Sequence, residues 1–364
     1  MRLTINLPEI PPRTSEVFIG EGLLKRLPES LEEHLEGRRA FWIWDGKVWD
    51  EWGERLTEEG WPGRDSGNVL LFEASEANKH LQAVEELASR LVRAGADRGS
   101  ALVAVGGGVT GDVVGFLASI YMRGIPHYQV PTTLLAQVDS SIGGKTGVDL
   151  PEGKNLIGSF QQPRVTWMDP LILETLSRDD FRQGMAEVIK TAMIGDEVLW
   201  KYLESHGDTI GKQEPEALLR IISACCILKA RVVELDEREA GHRRVLNLGH
   251  TIGHALERVS GYRLRHGDAV AIGLVAATRL SVQLGEFPEA DLTRLVRLCA
   301  DWGLPVKIPR TFDPDEVMGA LEADKKRIGK KLHFILPVRI GEVVDYDGLD
   351  RRDLRRILDE LKSG

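Results

Sequence analysis

The chain has 364 residues, too many for one ordinary core, so two domains are expected. A composition of 42% hydrophobic and 28% charged residues is that of a soluble globular protein. The formal net charge of −9 argues against nonspecific nucleic-acid binding and requires any anionic ligand to be held by a local basic cluster, against the overall field.

The first segment, "MRLTINLPEIPPRT", lacks the apolar core and cleavage signature of a signal peptide. "AFWIWDG" (40–46) reads as a strand ending in a turn, and "NVLLFEA" (68–74) as another. "HLQAVEELASRLVRAG" (80–95) carries an amphipathic helical period and a glycine stop at Gly95. "SALVAVGGG" (100–108) is a strand running into glycines, "VTGDVVGFLASIYM" (109–122) a helix, and "HYQVPTT" (127–133) a further strand. This alternation predicts a Rossmann-like parallel sheet with helices on both faces. Past "LSRDD" (176–180) the texture changes. The segments 179–196, 214–239, 249–260 and 267–285 are all helical in period, and few strand candidates appear before "LHFILP". The expected division is an α/β domain over 1–178 and a mainly α-helical domain over 179–364, with the site in the cleft between them. The longest apolar run, 269–278, is about half a membrane span. Cys225, Cys226 and Cys299 suit reduced thiols better than a disulfide framework, so the expected location is the cytoplasm.

Two glycine-rich segments carry candidate chemistry. "VAVGGGVTGDVVGF" sets glycines between a strand and a helix, where a phosphate can rest on the helix N-terminus, although the G-x-G-x-x-G fingerprint is absent. A tight strand-to-helix turn would look the same. "SSIGGKTGVDLPEGKNLIG" contains "GGKT", but Asp139 stands where a P-loop needs its first glycine. What remains is a polar, glycine-rich segment with Lys145, Lys154 and Asn155 in it, which either offers ammonium groups to an anion or is simply a solvated loop.

"LNLGHTIGHALERVSGYRLRHGD" (246–268) holds His250 and His254 on one helical face and His266 beyond a turn. Thr251 follows His250, so the H-E-x-x-H metalloprotease pattern fails. Three histidines, or two and a carboxylate such as Glu187 in "GMAEVIK", could hold zinc with an open position. Glu187 could equally form a helix-surface pair with Lys190. Lys190, Lys229 and Arg243 have apolar neighbours, so each either snorkels to solvent or needs a counter-ion.

Taken together, "GGGVTGDVVGFLASIYMRG", "PTTLLAQVDSSIGGKTGVDLPEGKNLIGSFQQP", "GMAEVIK", "KARVVELDEREAGHRRVLNLGHTIGHALE" and "HGDAVAIG" resemble one family, the 3-dehydroquinate synthases of the sugar-phosphate cyclase group. The resemblance spans nearly the whole chain. It implies NAD on the N-terminal domain, a divalent metal (Zn²⁺ or Co²⁺) between the domains, and a homodimer. It also implies a shikimate-pathway reaction in which 3-deoxy-D-arabino-heptulosonate 7-phosphate becomes 3-dehydroquinate and phosphate. The implied steps are transient oxidation at C5 by NAD, phosphate elimination, re-reduction, ring opening and aldol closure. Carried over by position, the metal ligands are Glu187, His250 and His266, and His254 belongs to substrate and proton transfer. The cofactor side comprises Asp45, Glu76, Lys79, Gly107, Gly108, Asp112, Thr132 and Thr133, with Lys145 and Lys154 at cofactor or substrate. The substrate side comprises Arg123, Asp139, Asn155, Lys190, Lys229, Arg243 and Asn247, with Lys325 or Lys326, and Glu239 handles protons. Asp149 and Asp268 depart from the usual Asn and Glu, and "KTAMIGD" replaces the more common "KYG".

Two rivals share the fold. The full lysine and arginine set argues against a metal-dependent polyol dehydrogenase. Asn155, and Arg243 with Asn247 in the "RxxLN" frame, favour a carboxylate-bearing substrate over that of an inosose or valiolone synthase. A non-catalytic binding module is disfavoured because every catalytic position is filled.

Overall fold

The structure, a computed structural model, describes residues 14–328 and 333–362, and for 324–328 the backbone only. The first half comprises β1 (Glu16–Ile19), α1 (Leu23–Leu35), β2 (Arg39–Asp45), α2 (Gly46–Glu58), β3 (Val69–Phe72), α3 (Leu81–Arg93), β4 (Ser100–Gly106) and α4 (Gly108–Ile120). It continues with β5 (His127–Pro131), β6 (Lys145–Leu150), β7 (Gly153–Phe160) and β8 (Val165–Met168). The second half is helical: α5 (Arg178–Gly195), α6 (Glu197–Ser205), α7 (Gly207–Gly211), α8 (Pro215–Leu235), α9 (His250–Val259), α10 (His266–Gln283), α11 (Glu289–Asp301) and α12 (Pro314–Ile328). A hairpin, β9 (Phe334–Arg339) and β10 (Glu342–Tyr346), precedes α13 (Arg351–Lys362).

Six strands form one parallel sheet in the order β1-β8-β5-β4-β2-β3. Its central strands are apolar on both sides because both faces are covered. Trp42, Trp44, Val103 and Val105 enter one core, while Phe41, Ile43, Leu102 and Ala104 enter the other with α3 and α4. The first core does not stop at the sheet. It runs on through Ile189 and Met193 of α5, Ile222 and Cys226 of α8 and Leu274 of α10, so the helical half is welded to that face. The chain leaves β2 toward β3 in one direction and β4 toward β5 in the other. The crevice outside the carboxyl ends of β2 and β4 is therefore the place where such a sheet binds a ligand.

The parallel sheet followed by a helical half is the architecture expected from the sequence. Residues 145–160 differ from the expected loop: they form an antiparallel hairpin. Val148 is buried in the core shared with α4, and Thr146 packs against Gly115 of that helix. A polar, glycine-rich segment shows no such pattern by itself, because the buried face exists only once α4 lies under it. The three cysteines are free and buried, and among the described residues no helix is long and apolar enough to cross a membrane.

Candidate active site

Glu187 is carried by α5, which Ser177 caps by accepting from Asp180 N at 3.1 Å. One turn before Glu187, Gln183 and Asp268 lock α5 to α10 through Gln183 Nε2 to Asp268 Oδ1 (3.1 Å) and Asp268 N to Gln183 Oε1 (3.2 Å). Between them lies Gly267, where a Cβ would sit 2.5 Å from the Gln183 carbonyl oxygen, so only glycine lets the helices approach. Asp268, where the resemblance leads one to expect glutamate, closes this pair directly. The lock, together with the close seating of α9 on α10 at Gly249, Gly253 and Gly273, brings Glu187 Oε1 to 3.1 Å from His266 Nε2 and 3.4 Å from His250 Nε2.

Glu187 is 1% exposed, and its Oε2 lies against the Lys190 ammonium without accepting an aligned hydrogen bond. Burial alone would push the Glu187 carboxyl up, but Lys190, His250 and His266 outweigh it and hold it well below the usual range. Burial and Lys190 push His250 down to about 3. His266 is pushed up to about 10 against burial, by its hydrogen bond to Glu187 and by the Glu257 carboxylate on its other side. A carboxylate oxygen and two imidazole nitrogens within 4.8 Å of one another form a donor set suited to zinc or cobalt with an open position. A second group, His254, Glu257 and His266, also meets that spacing, but His254 is exposed. Glu187 and Lys190 thus form a buried pair rather than a helix-surface one.

Beside this set lies a group of buried cations. Asp139, in the π-helical turn Ala136–Ser140, accepts from Lys229 Nζ of α8 at 2.7 Å and lies 3.9 Å from Lys190 Nζ. Burial, Lys190 and Arg243 push the Lys229 ammonium down, with Asp139 offsetting part of this. Arg243 is 2% exposed and donates to the carbonyls of Gly143 (3.0 Å) and Glu237 (2.6 Å), while its Nε has no partner. A Cβ at Gly143, whose φ is +95°, would fall 2.2 Å from that guanidinium, so the arginine is seated because residue 143 is glycine. None of the three basic residues snorkels; each is buried against acceptors in the protein. Glu239, in the left-handed region at φ 58°, joins Lys145 and accepts from Asn247 Nδ2 at 2.7 Å. Those two partners hold its carboxyl below the usual range although burial opposes them.

The remaining residues line the carboxyl ends of the strands. Asp45 ends β2 and caps α2; Glu76 and Lys79 follow β3; Thr132 and Thr133 follow β5. Gly107, without a side chain, caps α4 at Gly108, leaving amides open toward the crevice. The buried hydroxyls of Thr132 and Ser140 have no hydrogen-bond partner in the chain, so both can serve a ligand in the crevice. Lys79 Nζ meets Asp112 Oδ2 at 2.6 Å, and its carbonyl accepts from Asp149 N at 2.7 Å. Asp149 Oδ1 in turn holds the amide of Asn155 at 2.7 Å, a contact the usual asparagine oxygen could make equally. Lys154 Nζ bridges Glu76 (3.1 Å) and Glu257 (3.2 Å). A dinucleotide laid along this edge finds open amides, hydroxyls and cations.

Arg123 is not brought to this cleft. It lies beyond the far end of α4, about 18 Å along the helix from Gly108, and before β5, hence at the opposite edge of the sheet. The side chains of Lys325 and Lys326 lie outside the described residues. Sequence reasoning passed over Ser140, Gln183 and Glu257. The signal for Glu257 was available: positions 250, 254 and 257 share one helical face, and an acid there among apolar residues needs partners.

Comparison with known proteins gives a consistent picture. Family models described as 3-dehydroquinate synthase N-terminal and C-terminal match residues 69–183 and 184–327. A 3-dehydroquinate synthase of Symbiobacterium thermophilum is 45% identical over 330 residues, covering 90% of this chain and 92% of that protein. Among solved structures, a 2-epi-5-epi-valiolone synthase of Streptomyces hygroscopicus subsp. jinggangensis with NAD⁺ and Zn²⁺ bound superposes with TM-score 0.88 at 29% identity, covering 99% of both chains. A 2-deoxy-scyllo-inosose synthase complexed with carbaglucose-6-phosphate, NAD⁺ and Co²⁺ gives TM-score 0.83 at 30% identity over 95% of this chain and 96% of that one.

Proposed function

Because the chain belongs to the 3-dehydroquinate synthase family, we propose that its cleft converts 3-deoxy-D-arabino-heptulosonate 7-phosphate to 3-dehydroquinate and phosphate, as a phosphate-eliminating lyase of the cytoplasm. The observation that carries this reading is the buried group of Lys190, Lys229 and Arg243 around Asp139, next to the Glu187–His250–His266 donor set. Three positive charges there face the two negatives of Asp139 and Glu187. With a divalent cation the surplus rises to three, which complements a substrate bearing one carboxylate and a phosphate of about two negative charges at neutral pH. A dehydrogenase acting on a neutral alcohol has no use for such a cluster.

When bound, NAD would accept the hydride from C5 and later return it, and a divalent metal held by Glu187, His250 and His266 would polarise the oxygen there. The chain's own residues do the rest. Lys190, Lys229 and Arg243 bind and orient the anionic groups, charge-assisted contacts that also stabilise phosphate as it leaves. Asp139 keeps Lys190 and Lys229 charged and aimed until substrate takes over. Asn247 and Lys145 hold Glu239, and His254 stands exposed at the mouth, so these two are the groups placed to take up and return protons. Asn155 and Lys154 present the hairpin of β6 and β7 to the bound molecules. We assign residues 1–178 to NAD and 179–364 to the metal and most of the substrate. Arg123, remote from its own cleft and flanked by the exposed Ile120 and Met122, could reach a substrate only from a second copy, which accords with a homodimer.

The test is the redox balance. With substrate in large excess over NAD, many phosphates should be released per NAD present, without a steady rise in NADH absorbance. Phosphate and NADH rising one-for-one would establish the dehydrogenase instead. Comparing phosphate release from the heptulosonate with that from other sugar phosphates separates the sister cyclases.

A further inference from the structure

We propose that Glu257 is a positioning residue, whose carboxylate orients His266 for the metal with one oxygen and ties Lys154 to the same point with the other. The inference rests on the reading of Glu187, His250 and His266 as metal ligands.

Glu257 sits one turn beyond His254 on α9, on the face that His250 and His254 share, and is 3% exposed. Its Oε1 accepts from Lys154 Nζ at 3.2 Å. Its Oε2 lies 3.6 Å from His266 Nδ1 and 4.0 Å from His254 Nε2. The other nitrogen of His266, Nε2, faces Glu187 Oε1 at 3.1 Å. The ring is thus held between two carboxylates, one on each nitrogen. A histidine ligand must be neutral, with its free lone pair toward the cation and its remaining N–H toward an acceptor. Glu257 is that acceptor. At 3.6 Å the contact is an ion-pair distance rather than a hydrogen bond, with Oε2 the carboxylate oxygen that faces Nδ1.

A purely structural role accounts for less. Lys154 already has the exposed Glu76 at 3.1 Å and stands 5.1 Å from the Tyr262 ring centroid, so it has a counter-ion without a buried carboxylate. Burying a carboxylate is costly unless it is paired, and its three partners here, Lys154, His254 and His266, belong to the site. Lys154 lies in β7 of the sheet half and His266 opens α10 of the helical half, so Glu257 joins the cofactor edge of the cleft to the metal edge.

The test uses the full-length apoprotein and Zn²⁺, with affinity measured by competition against a chromogenic chelator. Glu257→Gln should keep its fold by circular dichroism and bind zinc about 10–100-fold more weakly, the usual effect of losing a carboxylate behind a histidine ligand. Lys154→Met should leave zinc affinity near that of the parent while weakening NAD binding, measured by quenching of tryptophan fluorescence. If Glu257→Gln does not fold, Glu257→Asp carries the measurement, because its shorter arm cannot serve both partners and should lower zinc affinity in the same direction. A folded Glu257 variant with zinc affinity within about threefold of the parent overturns this inference alone. A parent protein that takes up no zinc overturns the donor-set reading and this inference together.

Discussion

Lys229→Met separates a substrate-binding lysine from a structural charge partner. Lys229 is buried, and its Nζ donates to Asp139 Oδ1 at 2.7 Å and to the Asp139 carbonyl at 2.8 Å. Methionine keeps most of the aliphatic stem, so little cavity is opened. Asp139 is not stranded, because Lys190 Nζ remains 3.9 Å away. Removing one partner of a buried pair ordinarily costs about 3–5 kcal/mol. With a second cation in reach we expect the loss in unfolding free energy by urea titration to stay below about 2 kcal/mol. The catalytic cost should be larger in its effect. A charge-assisted contact to an anion is worth about 1.5–3 kcal/mol, which is roughly 10- to 150-fold in kcat/KM. Phosphate release measured across substrate concentrations, together with the urea titration, gives both numbers. A variant with kcat/KM within threefold of the parent, or one destabilised by more than about 3 kcal/mol at normal specific activity, would refute the reasoning. Lys229 would then be Asp139's structural partner and nothing more.

Other outcomes follow from the same structure. Chelation should abolish activity and Zn²⁺ or Co²⁺ restore it, and His250→Ala should lose stoichiometric metal by elemental analysis; full occupancy in that variant would exclude His250 as a ligand. Gly143→Ala would place a Cβ 2.2 Å from the Arg243 guanidinium at a φ of +95°. We expect a stability loss of about 1–3 kcal/mol and a fall in kcat/KM of about tenfold or more as Arg243 is displaced, to be checked by urea titration and phosphate release. Burial pushes His127 down to about 4 from 6.5, so between those values the unfolded chain holds a proton that the native protein lacks. Stability should therefore be complete above pH 6.5 and fall by up to about 3 kcal/mol as the pH drops toward 4. His127→Gln should flatten that slope, and an unchanged slope would show that His127 is not the titrating group.

The sheet and the helices were legible in the sequence because their signals are local. Apolar runs such as "SALVAVG" suit a strand covered on both faces, and the 3.6-residue period of 81–93 or 215–235 needs no partner to be seen. The site's composition was legible for a different reason: long ordered motifs identified the family and, through it, the residues. Spacing on its own could not assign roles to the histidines. His250 and His254 are equivalent on a helical wheel, and only the packing of α5 and α9 against α10 brings Glu187 to His250 and His266 and leaves His254 exposed. Nor could it say whether Lys190, Lys229 and Arg243 snorkel, since their acceptors, Glu187, Asp139 and the Gly143 carbonyl, reach two of them from remote segments. The hairpin at 145–160 and the isolation of Arg123 at the far edge of the sheet were hidden for the same reason. Secondary structure depends on neighbours along the chain, whereas charge pairing, burial of a polar face and distance across a sheet depend on neighbours that only folding supplies.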